Sequence, residues 1–483
     1  MKATKEKRKR KVKPRQHKTN GDDLRRALDW ILIDDIFAEL RLHGNVKWKP
    51  LALVCLAIFW VWSSQPGLVE AAKDAIAVVT KLFGSDFITI TSYQALTGAL
   101  VRYTPQLLPV LWMRLHHLMQ LSGSADWRVG KWLPLAVDGS RASVPRTEPN
   151  EKRFNKPRKP RGKQKSPTKK RGRHAQRQRK KQSTKSHYDP QAVGPQMWLT
   201  LVWHIGLRLP WCWMLGPSYS SERAHLVTML KQRRFPDFTL FCGDAGFVGY
   251  EFWRSILEEG HSFLMRVGGN VRLLKGLGVI RHKGDIVYCW PDEAAKKKQP
   301  PLVLRLLRFH DGRGEVYLVT NILDETELTA EQASQIYRGR WGIEIQFRAL
   351  KQTYGRSKLR ARTPEIAEIE LHWSLLGLTM LQLLALKEQK RAAEPADKTS
   401  IAAVLRIIRS MIAAPSESRP PSASLPSRLR NATTDSYQRH GKKQSRNYPR
   451  RKEEPCTGAP IILTATEEQR ERARMILANQ RAA

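Results

Sequence analysis

Tyr337, Arg340, Glu344 and Lys351 stand in the stretch IYRGRWGIEIQFRALKQTYG, at steps of three, four and seven residues. An extended strand would scatter these four side chains over both of its faces. A helix, at 100° per residue, gathers them within roughly 60° of arc. The segment is therefore read as a helix, opened by a T-x-x-Q capping box at Thr329 and Gln332 and closed by Gly355. One carboxylate flanked by two cations and a phenol is poor core chemistry. It suits a surface where the acid holds a metal ion while Arg and Lys meet the oxygens of a phosphodiester.

A chain of 483 residues with 41% hydrophobic content can build two or three domains with cores of their own. Its net charge of +41 calls for a polyanionic partner, nucleic acid first of all. Leu51–Trp62 is the longest uninterrupted apolar run and is too short to cross a bilayer, so no membrane is expected. The basic start MKATKEKRKRKVKPRQHK is not followed by an apolar segment and does not read as a secretory signal. Five scattered cysteines show neither zinc spacing nor a disulfide framework, as expected of an intracellular, cytoplasmic chain associated with the nucleoid. His204 and the His116–His117 pair have no ligand spacing and read as packing or surface residues.

Along the chain, residues 1–21 form a basic arm, expected to be disordered, and 22–125 carry helical periodicity in several short helices, SYQALTGALVRY and LLPVLWMRLHHLMQL among them. The helical region reads either as a DNA-binding module of helix-turn-helix type or as a plain packing domain. WLPLAVDG reads as a strand ending at Asp138, and residues 146–186 are a basic insert without apolar periodicity, expected to be disordered. A hairpin turning near Gly206 follows, then a helix capped by Ser220 or Ser221, then the strand FTLFCGDAGF ending at Asp244. Residues 260–322 break into short β-like runs, and the helix of the opening paragraph comes next. Apolar helices occupy 365–414, residues 415–460 are rich in Pro, Ser and Arg, and a short helix is expected near 466–479.

The Y-x2-R-x3-E-x6-K spacing of Tyr337, Arg340, Glu344 and Lys351 resembles the signature of the IS4-type DDE transposases, the Tn5- and Tn10-like group. VDGSR around Asp138, GDAGFVGYEFW around Asp244 and YLVTNILD ahead of the helix are similar to that family's other motifs. The resemblance, specific over about 130–355, implies an α/β fold with a ribonuclease H-like core at 126–259 and 323–390. A β-rich insertion domain at 260–322 would interrupt it, a helical domain at 22–125 precede it, and a helical, basic region at 391–483 follow it. Asp138, Asp244 and Glu344 would bind two Mg²⁺ or Mn²⁺ ions. Tyr337, Arg340 and Lys351 would hold the DNA backbone at the element end, and Trp290 is a candidate platform for a flipped base. The implied partners are double-stranded DNA, as terminal inverted repeats and target, and a second copy of the chain on DNA. The implied activity is cut-and-paste transposition through a hairpin. A stand-alone nuclease on the same fold and a non-catalytic DNA-binding descendant are the alternatives.

Overall fold

The structure, a computed structural model, describes residues 18–156, 194–279, 285–312, 314–393, 398–418, 420–433 and 458–482. Most of the basic arm and residues 157–186 of the basic insert lie outside these residues, as does Cys456.

Ten strands form one continuous mixed sheet. They are β1 (Leu133–Ser143), β2 (Gln196–His204), β3 (Leu209–Pro217), β4 (Thr239–Gly243), β5 (Ser262–Val267), β6 (Arg272–Lys275), β7 (Ile286–Cys289), β8 (Leu302–His310), β9 (Glu315–Thr320) and β10 (Ile461–Thr464). Their order is β10-β6-β7-β8-β9-β5-β4-β1-β2-β3. In the half that carries the aspartates, β1, β2 and β3 are antiparallel neighbours, whereas β4 and β5 run parallel to β1. These central strands are nearly continuous apolar runs, as strands covered on both faces must be. The short β-like runs of 260–322 extend this same sheet through β5, which pairs with both β4 and β9.

Helices cover the sheet. Pro50–Trp62 is buried along almost its whole length, and Leu68–Phe83 packs beside it. Pro364–Lys390 is long and apolar enough to cross a membrane by length and composition, yet 94% of its most apolar window is buried inside the protein. It is tied there by Trp62 Nε1, which donates to Gly377 O, and by Trp373 Nε1, which donates to Thr104 Oγ1.

Four local expectations are corrected. β1 does not stop at Asp138: it stays paired with β2 as far as Ser143. Only its pairing with β4 ends early, at Ala136. The start of the basic insert is ordered as the helix Glu148–Phe154, because Phe154 is buried and Asn150 donates to Pro145 O and Ala361 O. Tyr93–Ser122 is one helix of 30 residues that runs through Pro105 and Pro109. Its buried face, from Leu96 to Met119, holds together what two missing backbone donors would loosen. Finally, the helix of Tyr337 and Glu344 is not a single α-helical rod. It runs from Ala330 to Gly339, turns tightly at Arg340–Trp341, resumes from Gly342 to Arg348 and ends in a π turn, Ala349–Thr353. The capping box at Thr329 and Gln332 is present, and Gly355 closes the segment at φ +68°.

Candidate active site

The parallel register of β1 and β4 aligns Ala136 with Cys242. Carried two residues on, it sets Asp138 beside Asp244, one strand spacing of about 4.8 Å apart in the sheet. Asp138 lies within β1 where β4 has just ended, and Asp244 is the first residue beyond β4. Each aspartate uses one oxygen to fix its own loop. Asp138 Oδ1 accepts from Gly139 N at 2.8 Å, and Asp244 Oδ1 accepts from Gly246 N at 2.8 Å. Their second oxygens carry no hydrogen bond among the described residues.

Side chains alternate across a strand, so Ala136 and Asp138 share one face of β1 and Gly139 belongs to the other. The first of these faces is also that of Trp203, which pairs with Ala136 across β2. The segment bearing Glu344 packs onto it with little clearance. A Cβ at Gly342 would fall 2.1 Å from Trp203 Cη2, and one at Gly339 would fall 2.6 Å from Ile205 Cγ2. Glycine at these two positions lets the broken helix approach the sheet and brings Glu344 towards Asp138.

The carboxylates interact. Burial pushes Asp138 up to about 6; the negative charges of Asp244 and Glu344 add to this, while the Gly139 N–H and Arg340 oppose it. Arg340 Nη2 lies 3.5 Å from Glu344 Oε1, one helical turn away, and Glu344 keeps 37% of its side chain exposed. Arg340 itself is only 9% exposed, and its Nε has no hydrogen-bond partner among the described residues. A buried guanidinium with an unused donor is costly and suits an anionic ligand.

The remaining predicted residues are placed less uniformly. Tyr337 is buried, with its ring edge-on to Phe309 and the Arg340 guanidinium 5.6 Å above it. Lys351 is half-buried in the π turn, and burial lowers its pKa. Trp290 is 5% exposed and donates its Nε1 to Gln299 O at 2.9 Å. It follows β7, four strands from β4, or roughly 19 Å along the sheet. His204 is fully buried and His116 stacks on Trp211 at 3.7 Å, both as packing residues.

Two residues beside those named above carried no signal in the sequence. Trp341 is 53% exposed, at the turn between Arg340 and Gly342. Glu222 opens the helix Glu222–Gln232, and its Oε1 lies 2.2 Å from where a Cβ on Gly139 would be. Burial pushes its carboxyl up to about 7, with Asp138 and Asp244 adding to the rise. An acid in the first turn of a helix ordinarily reads as a partner of the helix dipole, and no spacing links Glu222 to Asp138.

Among the described residues no three His, Cys, Asp or Glu side chains stand close enough to share one ion. The donor set nevertheless fits hard divalent cations: it is all oxygen, carries mutually repelling charge, and leaves the second oxygens of Asp138 and Asp244 free. A groove of about 780 Å³ between helices Tyr93–Ser122 and Pro364–Lys390 is lined by His116 but by none of these carboxylates.

Residues 133–380, just over half of the chain, match the protein family described as the transposase DDE domain. The chain is 27% identical over 213 residues to the transposase InsG of insertion sequence element IS4 from Escherichia coli K12, covering 42% of this chain and 47% of that protein. It is 38% identical over 71 residues to the transposase of insertion sequence element IS421 from Escherichia coli, covering 15% and 19%. The matches thus span about half or less of these relatives' length. Among solved structures, the piggyBac transposase synaptic complex with hairpin DNA gives a TM-score of 0.37 at 12% identity, with 86% of each chain covered.

Proposed function

For this chain, which belongs to the IS4-type DDE transposase family, we propose that the cleft of Asp138, Asp244 and Glu344 cuts DNA at the ends of an insertion sequence and joins the freed ends to target DNA. The observation that carries this reading is the meeting of Asp138 and Asp244 at one end of a parallel strand pair, with Glu344 and the buried Arg340 brought onto the same face. The strand order β3-β2-β1-β4-β5, antiparallel then parallel, supports a ribonuclease H-like core. In that organisation the strands between β5 and the signature helix form the β-rich insertion and the N-terminal helices the DNA-binding region.

Asp138, Asp244 and Glu344 would hold two Mg²⁺ or Mn²⁺ ions, which when bound activate an attacking oxygen and stabilise a leaving one. The chain's own residues do the rest. Arg340 would offer its unpartnered Nε and its Nη2 as donors to a phosphate oxygen, and Lys351 adds positive charge two turns beyond Glu344. Tyr337 is buried against Arg340, and its contribution is to aim that guanidinium. The order of steps is nicking of one strand, attack of the 3′-hydroxyl on the other to give a hairpin, hydrolytic release and attack on target. Each is an in-line displacement at phosphorus, so one constellation serves them all. A base displaced at the hairpin needs an exposed aromatic face. Trp341 offers one beside Arg340, whereas both faces of Trp290 are buried. Bringing two ends together asks for two copies of the chain on DNA, and the charge of +41 favours that polyanionic partner inside a cell.

The test is strand cleavage and joining on a labelled duplex carrying the element's own end, with Mg²⁺ or Mn²⁺, comparing the native chain with Glu344→Ala. Nicked and joined products, both lost in the variant, establish the reading. Nicking without joining makes the chain a nuclease. DNA binding with equal inactivity in both leaves a non-catalytic descendant.

A further inference from the structure

We propose that Glu222 is a fourth acidic ligand of this cleft, reaching past Gly139 from the opposite face of the sheet to hold a divalent cation together with Asp138 and Asp244. The inference rests on the metal-dependent reading above and adds a residue to it.

Three observations support it. First, the geometry is cleared for this side chain. The helix Glu222–Gln232 packs on the face of β1 and β2 away from Trp203, where His225 Nδ1 meets Thr200 Oγ1 at 2.9 Å. From there the Glu222 carboxylate lies against Gly139, and a Cβ at that position would sit 2.2 Å from Oε1 and 2.5 Å from Cγ. Gly139 has no positive φ to account for its being glycine. The absent side chain is what leaves room for the glutamate beside Asp138. Because β4 has ended at Gly243, no neighbouring strand closes β1 off on that side.

Second, Glu222 has neither a hydrogen bond nor an ion pair among the described residues. The charges of Arg141 and Arg223 reach Glu222 and oppose the rise, but neither guanidinium bonds to it. Arg223 Nη1 donates to Val248 O at 2.6 Å, and the Arg141 guanidinium lies 4.6 Å over the Trp198 ring. A stabilising role at its helix terminus would explain an acid at this position. It would not explain a carboxylate turned over β1 towards two others.

Third, the cleft shows an independent sign of a missing charged ligand, the orphaned Nε of the buried Arg340. Asp138 and Asp244 act both on this guanidinium and on Glu222, which suits a site that receives divalent cations and a phosphate together. Because no three carboxylates among the described residues are gathered about one point, Glu222 reaches the cation of the two aspartates by a side-chain rotation, and Glu344 is left to the second ion.

The experiment is a calorimetric titration of the full chain with Mn²⁺ in the absence of DNA, comparing the native protein with Asp138→Asn, Glu222→Gln and Gly139→Ala. Thermal melts of each confirm folding. Glu222→Gln keeps the shape and removes the charge, and Mn²⁺ affinity is expected to fall at least tenfold. Gly139→Ala is expected to reproduce that fall by displacing the carboxylate, with the double variant no worse than Glu222→Gln alone. That non-additivity is something a purely structural glutamate would not show. Mn²⁺ affinity within twofold of native in a folded Glu222→Gln, with Asp138→Asn impaired, overturns this proposal and leaves the three-carboxylate site standing. A native chain that takes up no Mn²⁺, or an Asp138→Asn chain that binds it unchanged, overturns the metal reading and this one with it.

Discussion

Gly342 lies so close to Trp203 that a Cβ would fall 2.1 Å from the ring's Cη2. Trp203 is 1% exposed and has no room to retreat. Gly342→Ala must therefore push the segment Gly342–Arg348 off the sheet or distort the core beneath it. Overpacking of this kind costs about 1–3 kcal/mol. The expected result is a lower urea midpoint and loss of nicking, because Glu344 moves with the helix. Trp203→Phe in the same background should restore part of both. A Gly342→Ala chain as stable and active as native would show that the contact does not set the position of Glu344.

Asp138 illustrates how the cleft trades stability for function. Burial and the charges of Asp244 and Glu344 hold its carboxyl at about 6, so at pH 7.5 the metal-free fold carries an unfavourable charge. Asp138→Asn removes it and is expected to raise the metal-free melting temperature. The gain should be about 1–2 kcal/mol once solvent screening is allowed for. Millimolar Mn²⁺ should then stabilise the native chain but not the variant. Differential scanning calorimetry with and without Mn²⁺ reads both effects, and a variant less stable than native without metal would contradict the repulsion.

How far the sequence could be read depended on whether the signal was periodic or tertiary. The apolar runs ahead of Asp138 and Asp244, the hairpin at Gly206 and the capping box at Thr329 are local patterns, and each is found where it was expected. The offsets from Tyr337 to Lys351 predicted a helix, but they could not show the turn at Arg340–Trp341. That break comes from fitting Gly339 and Gly342 against Ile205 and Trp203, more than a hundred residues away. SYQALTGALVRY and LLPVLWMRLHHLMQL read as two helical stretches, and long-range burial joins them into one helix through Pro105 and Pro109. β10 was invisible because it is four exposed residues recruited to the edge of β6. Glu222 was missed for the same reason in reverse: its place is fixed by a gap at Gly139 that only the folded sheet reveals.

His204 sets an acid limit on the fold. It is fully buried; its Nδ1 accepts from Leu207 N at 3.1 Å, so the proton sits on Nε2, which has no partner among the described residues. Burial lowers its pKa from 6.5 to about 3. A depressed folded-state value means that the unfolded chain takes up the proton first as pH falls. The neutral ring's contribution is complete above pH 6.5 and is lost progressively from there down towards 3. Between pH 6 and 4 the native chain should lose stability faster than His204→Gln by about 1.3 kcal/mol per pH unit, close to the most one group can give. Parallel slopes from urea denaturation across that range would place the acid sensitivity elsewhere.

The two tryptophans considered as base platforms separate cleanly by experiment. Trp290 is sealed by burial and by its bond to Gln299 O, so Trp290→Ala opens a cavity and should cost about 3–5 kcal/mol. Any loss of activity should then track loss of folded protein, with nicking and hairpin formation falling together. Trp341 is 53% exposed and makes no ring contact with another aromatic side chain among the described residues. Trp341→Ala should leave the melting temperature within a degree or two. Stacking of one base is worth about 1–3 kcal/mol, so the step that needs the displaced base should slow by about 5- to 150-fold. First-strand nicking, which needs none, should stay near native. Tyr337→Phe belongs in the same assay: some first-strand nicking should survive while hairpin formation falls, because the variant keeps the ring under Arg340 and loses the hydroxyl that meets Arg266. Measured on a pre-nicked duplex, equal hairpin rates in native and Trp341→Ala chains would remove Trp341 from the reaction.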